Sequence, residues 1–321
     1  MSRWTEEQMP DLSGKTFVVT GANSGIGFEA SRALAAKGAT VVLACRSLDK
    51  ARAAVEAIRS RTPGAKLALE RLDLGDLDSV RALASKVLRD HSRLDVLINN
   101  AGVMAIPRLT TKDGFETQIG TNHLAHFALT GLLIGRLIES APSRVVTVSS
   151  MVHTMGTFGA LDERDLLLQT GYTKWGAYGR SKLANLLFAY ELERRLEARF
   201  PSVLSVACHP GYAATNLQAV GPQMTNSAVG KAFMSIGNAV FAQSAAGGAL
   251  PTLYAATAPD VHGGDYIGPG GAFKMAGAPV KQKSSRASHD AQAASKLWDT
   301  SVKLTGVDFD LLRPEAPRAA V

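Results

Sequence analysis

Covalent and metal cross-links contribute little to this chain. Its 321 residues include two cysteines. Cys45 and Cys208 each lie in an apolar, strand-like run, and their spacing makes neither a zinc motif nor a disulfide framework. No apolar stretch reaches the roughly 18 residues of a bilayer span. The opening MSRWTEEQMPDLSGK lacks the apolar core of a signal peptide, so a reducing, cytoplasmic compartment is expected. Aromatic residues are only 6% of the chain. Basic residues are scattered, with no dense run, interleaved aromatics or zinc-finger spacing, so no nucleic-acid partner is expected. The net charge of +7 then fits solubility or an anionic small molecule.

What is present is a βα rhythm. KTFVVT (15–20), TVVLAC (40–45), KLALERL (66–72), LDVLINN (94–100), SRVVTVSS (143–150) and SVLSVACHP (202–210) read as strands, and GDYIGP (264–269) as a last short one. Helical stretches separate them, among them GFEASRALAAKG (27–38), LDKARAAVEAIRS (48–60) and DLDSVRALASKVLRD (76–90). Strands apolar on both faces, alternating with helices, predict a parallel sheet covered on each side: a Rossmann-type three-layer α/β/α fold. No stretch rich in Pro, Ser or Gly divides the chain, so a single domain over 1–321 is expected, with a core of about 12–310 and short frayed ends.

Between the first strand and its helix stands TGANSGIG (20–27). A tight turn there needs glycine, because a side chain would block approach of a diphosphate, and the following helix end offers N–H groups and a favourable dipole. Gly21, Gly25 and Gly27 supply the turn, and Asn23, Ser24 and Ile26 complete it. The spacing departs from the common dinucleotide fingerprint; its place after the first strand is what points to a cofactor. An NAD site usually carries an acid at the end of the second strand. Here Cys45 and Arg46 stand in that place, with Lys50 a turn later. A guanidinium there suits a 2′-phosphate, so NADP(H) is the preferred cofactor and NAD(H) the alternative.

With TGANSGIG, NNAG (99–102), Asn122, VSS (148–150), YGRSK (178–182) and HPG (209–211) in this order, the chain resembles the short-chain dehydrogenase/reductase family over roughly residues 12 to 310. NSGIG, LACR, SKLANLLF and HPGYAATNL are most similar to the NADP-linked branch of retinol dehydrogenases, the WW-domain oxidoreductase and protochlorophyllide reductases. The resemblance implies a seven-stranded parallel sheet and reversible hydride transfer at a carbonyl or alcohol. It implies Tyr178 as proton donor, Lys182 as its partner, Ser150 as the hydroxyl orienting the carbonyl and Asn122 as support for the proton relay. It places Asp73 and Leu74 near the adenine, Asn99, Ala101 and Gly102 beside a cofactor ribose, and Pro210, Gly211 and Thr215 near the carboxamide. It also implies a homodimer or homotetramer.

Elementary chemistry gives the YGRSK pair a reason. Residues i and i+4 share a helix face, so Tyr178 and Lys182 can enter one cleft. A free tyrosine, with a pKa of about 10, is a poor acid near neutrality, and a nearby ammonium is expected to lower that value. Taken singly, Tyr178 could be a core tyrosine, Lys182 a snorkelling lysine, Ser150 a strand-end cap and Asn122 an internal helix contact. His123, His126 and His153 suggest a metal or a hydrolase, but no acidic ligand has useful spacing and no G-x-S-x-G elbow exists; they are expected to be satisfied packing residues, with His209 shaping the turn at Pro210–Gly211. Specificity is expected from the loop after Met151, from residues near Met104 and from 212–234, which reads as a mobile lid. The substrate expected is an apolar ketone, aldehyde or secondary alcohol. Competing readings are a non-catalytic NADP(H)-binding sensor and a lyase, epimerase or dehydratase on the same fold.

Overall fold

The computed structural model describes residues 4–212 and 243–313. Eight strands form one sheet in the order β3-β2-β1-β4-β5-β6-β7-β8. They are β1 (Thr16–Thr20), β2 (Thr40–Cys45), β3 (Lys66–Arg71), β4 (Val96–Asn99), β5 (Ser143–Val148), β6 (Val203–Cys208), β7 (Tyr266–Pro269) and β8 (Pro279–Gln282). The seven expected strands run parallel. The eighth, which the sequence reading did not foresee, is antiparallel to β7 and turns back along the edge of the sheet. Strand order reverses between β1 and β4, which opens the crevice where α/β sheets bind ligands.

The longer helices among the described residues are α1 (Gly25–Ala36), α2 (Leu48–Arg61), α3 (Leu77–Asp90), α4 (Ala125–Glu139), α5 (Lys174–Glu197), α6 (Ala245–Thr257) and α7 (Ala291–Thr305). Side chains alternate along each strand and so feed two cores. Phe17, Val19, Val41 and Leu43 meet α1, α2 and α6 on one face. Val18, Val42, Leu97 and Val145 meet α3, α4 and α5 on the other.

The apolar stretch over 117–138 does not form one continuous α-helix. A π turn over Gly120–Leu124 precedes α4, and Asn122 lies in it. A π turn breaks the usual i+4 ladder and often marks a functional site. On α4 and α5, Phe127 and Phe188 pack against Trp298 of α7, Val307 and Phe309. Most of the segment read as a lid, including Thr215, lies outside the described residues.

Candidate active site

The glycine turn rises from β1. Gly21 and Gly25 hold φ of 69° and 55°, where an L side chain is strained. At Gly27 the constraint is space: a Cβ would sit 2.4 Å from the Gly21 carbonyl oxygen and 2.6 Å from Asn100 Nδ2. Ser24 is the N-cap of α1, with no cap bond from its own side chain, so that side chain leaves the first-turn N–H groups unclaimed. These features fit a diphosphate. Cys45, read as standing in the place of a ribose acid, turns the other way. Its buried thiol accepts from the main chain of Ala22 and Asn23 beneath the turn, and burial lifts its pKa to about 11. Arg46 is thus the first side chain beyond β2 that is free to face a ligand; it and Lys50 are exposed. The reading missed Arg71, which ends β3 directly beside Cys45 and brings a second exposed guanidinium to this corner. The signal for it was strand register, which no local motif carries.

The loop after β4 closes the other side of the crevice. Thr20 Oγ1 accepts from the main-chain N–H groups of Asn100 and Ala101, both at 2.9 Å, and Asn100 Nδ2 donates to the Thr20 carbonyl at 2.8 Å. Asn100, which the reading passed over, therefore ties the loop to the glycine turn. Asn99 turns into the core and donates to Thr130 Oγ1 at 3.0 Å. Leu74 is a core side chain, so only its main chain can reach a ligand. Asp73 spends one oxygen on the N–H of Gly75, at 2.9 Å. At Gly102 a Cβ would lie 2.8 Å from Asn122 Oδ1 and 3.7 Å from Lys182 Nζ; glycine lets this loop pass over both.

Ser150 and Tyr178 are brought together by close packing of glycines. A short 3-10 helix, Met151–Met155, follows Ser150 and ends against α5, where a Cβ on Gly156 would lie 2.5 Å from the Gly179 carbonyl oxygen. The wide insertion between them is held to α5 by Arg180, which pairs with Asp165 at 2.9 Å and stacks over Phe158. Tyr178 is 4% exposed. Burial pushes its hydroxyl up to about 12, and a hydrogen bond with Ser150 works against that rise. Lys182 points into the same site, its Nζ 5.8 Å from the Tyr178 ring centre and 3.0 Å from the Val148 carbonyl oxygen, to which it donates. Burial brings Lys182 down to about 8. In place of the expected lowering of the phenol by the ammonium, burial dominates and acts on both groups toward neutrality.

Asn122 is fully engaged. Its Oδ1 accepts from Val103 N at 2.8 Å, and its Nδ2 donates to the Val103 carbonyl and to Ser181 Oγ at 2.9 and 2.8 Å. The π turn is thereby fastened to the loop after β4 and to α5. His209 accepts from Gly211 N and faces Gln282, and so shapes the turn at Pro210–Gly211. Gly211 has φ of 69°, and the Pro210 carbonyl accepts from Gln243. His153 bonds the Ser150 carbonyl at 2.7 Å and the N–H of Ser285 at 3.1 Å. Among the described residues no cluster could hold a metal ion, and no helix is long and apolar enough to cross a membrane.

A glycine cradle at the switch point, together with Ser150 and the buried Tyr178 and Lys182, defines a nucleotide-dependent oxidoreductase. The short chain dehydrogenase model matches residues 15–161. Human retinol dehydrogenase 13 is 39% identical over 313 residues, 95% of this chain and 88% of that protein. A solved, uncharacterized protein from Mycobacterium Paratuberculosis is 43% identical with a TM-score of 0.78, covering 96% of this chain and 99% of that one. A structure from Beutenbergia cavernae, assigned as an NAD(P)-dependent gluconate 5-dehydrogenase and holding NADP at low occupancy, is 25% identical with a TM-score of 0.59, covering 77% and 91%. The chain belongs to the short-chain dehydrogenase family and is related to its retinol-dehydrogenase-like members.

Proposed function

We propose that this chain is an NADP(H)-dependent carbonyl reductase that converts an apolar ketone or aldehyde to the alcohol, and runs in reverse when oxidised cofactor prevails. The observation that carries the reading is the placement of Tyr178 and Lys182 one turn apart on α5, both buried, with Lys182 Nζ 5.8 Å from the Tyr178 ring centre, at the strand ends that also bear the glycine cradle. NADPH supplies the hydride when bound. The glycine turn and the α1 N-terminus hold its diphosphate, Arg46 and Lys50 its 2′-phosphate, Asp73 and the main chain of Leu74 its adenine side. Ala101 and Gly102 line its ribose, with Asn99 behind them, and Pro210 and Gly211 lie toward its carboxamide. The NADP-bound relative supports the cofactor choice.

Tyr178 gives its proton to the substrate oxygen as that oxygen gains charge, and Ser150 donates a hydrogen bond to the same atom. Lys182, with N–H groups left beyond its bond to Val148, holds the ribose hydroxyls and steadies the phenolate once the proton has gone. Asn122 keeps the π turn and the loop after β4 in place around that relay. Met155 and Trp175 are exposed apolar side chains, and Trp175 lies edge-on to the Tyr178 ring at 6.1 Å, which suits an apolar substrate. Assembly as a homodimer or homotetramer, a cytoplasmic setting and a place in the retinol-dehydrogenase branch complete this reading.

The test is a panel of carbonyls and alcohols followed by nicotinamide absorbance with both cofactors. Turnover with NADPH is expected, and Tyr178→Phe should lower kcat by about 10²–10⁴-fold while NADPH still binds. Tight NADPH binding without turnover across the panel would favour a sensor.

A further inference from the structure

His126 touches neither Tyr178 nor Ser150. Its ring is buried in the first turn of α4, where the sequence reading left it as packing. Its two nitrogens nevertheless join separate parts of the site. Nδ1 lies 3.1 Å from the main-chain oxygen of Asn122 in the π turn, and Nε2 lies 2.9 Å from Thr20 Oγ1 at the end of β1. A carbonyl only accepts, so Nδ1 carries the proton. The neutral ring then offers Nε2 as an acceptor, and the Thr20 hydroxyl donates to it. Both lone pairs of that oxygen remain for the N–H groups of Asn100 and Ala101, each at 2.9 Å. The other acceptor near the hydroxyl, the Ile98 carbonyl, is 3.4 Å away. Every proton in the network has a place, and only one tautomer of His126 allows it.

We propose that His126 is a positioning residue of the reaction: its neutral, Nδ1-protonated ring locks the end of β1, the loop after β4 and the π turn into one arrangement, so that the cofactor cradle and the Asn122–Lys182 side of the site stay aligned. The proposal rests on the dehydrogenase reading above. The groups facing the ring are Lys182 from α5 and His123 from the π turn. Burial, reinforced by the Lys182 charge, drives the His126 pKa down to about 4, so the ring stays in the form the lock requires.

Two conservative substitutions separate the two nitrogens. An asparagine amide N–H can take the place of Nδ1 toward Asn122, and a glutamine amide can reach the place of Nε2 toward Thr20; leucine removes both contacts. His126→Leu is expected to weaken NADPH binding, read by nicotinamide fluorescence, and to lower kcat, each about tenfold, the scale of one lost hydrogen bond. His126→Asn should recover kcat but not affinity, and His126→Gln affinity but not kcat. Wild-type kcat and affinity in His126→Leu would overturn the proposal. Equal losses in all three variants, the mark of a packing defect, would overturn it too. If His126→Leu does not fold, Thr20→Val should show the weakened NADPH binding, and unchanged affinity there would count against the lock. If the wild type binds NADPH but reduces no carbonyl, the dehydrogenase reading fails separately. The lock is then judged on affinity alone: weakened by leucine and recovered by glutamine, or refuted.

Discussion

Lys182 Nζ sits 5.8 Å from the centre of the Tyr178 ring and 3.0 Å from the Val148 carbonyl, to which it donates. The lysine is anchored by the end of β5 rather than by the phenol one helical turn before it. The same carbonyl also accepts from Asn185 Nδ2, at 3.1 Å. The charge therefore sits where a bound ribose and a forming phenolate can use it, and its placement does not depend on either.

That placement has a cost to stability. Lys182 falls from 10.5 to about 8 because it is buried, so between those values the unfolded chain binds more protons than the folded one. Stability then rises with pH from about 8 to 10.5, and below 8 the burden of a buried ammonium is felt in full. Lys182→Met should remove it without orphaning the Val148 carbonyl, which Asn185 still satisfies. We expect a gain of about 1–3 kcal/mol at pH 7 by denaturant unfolding, a flattened rise above pH 8, and a loss of kcat of at least about 10²-fold. A less stable, still active variant would refute this account.

Arg46 governs the choice of cofactor in the proposed reading. It follows β2 directly and is exposed, with Arg71 paired to its neighbour Cys45 at the end of β3. Arg46→Asp places a carboxylate where an NAD site carries one and repels a 2′-phosphate. The ratio of kcat/KM with NADPH to that with NADH should fall by about 10²-fold, the loss of a charge-assisted contact plus a new repulsion. An unchanged ratio would remove Arg46 from the role.

The layers of the fold were legible because most of the strands are short apolar runs and alternate with helical stretches. β2 and α3 fall within a residue of their expected bounds. What stayed hidden depends on residues distant in sequence. The eighth strand, PVKQ, is four residues at an edge, too short to carry a period. The π turn looks helical in sequence, because a change from i+4 to i+5 bonding leaves the apolar pattern intact. Glycines, by contrast, spoke plainly at the cradle, where sterics act locally. Asn100 and His126 were missed because each works through Thr20, about 80 and 106 residues away in sequence. The phenol's pKa was misjudged in direction because the charge partner is visible in sequence and the burial that opposes it is not.

Glycines also allow a test of the cradle with its own control. At Gly27 a Cβ would stand 2.4 Å from a main-chain oxygen, and main chain cannot swing aside as a flexible side chain can. Gly27→Ala should therefore push the glycine turn away from the loop after β4, costing about 1–3 kcal/mol of stability and weakening NADPH binding by at least about tenfold. At Gly135, inside α4, a Cβ would meet only Leu311 Cδ1, at an ordinary 3.6 Å. Gly135→Ala should leave NADPH affinity unchanged and add about 0.5–1 kcal/mol through helix propensity. Thermal melts with and without NADPH read both variants at once. If Gly27→Ala keeps its full NADPH-induced rise in Tm, the close approach of Gly27 to Gly21 and Asn100 is not what shapes the diphosphate site.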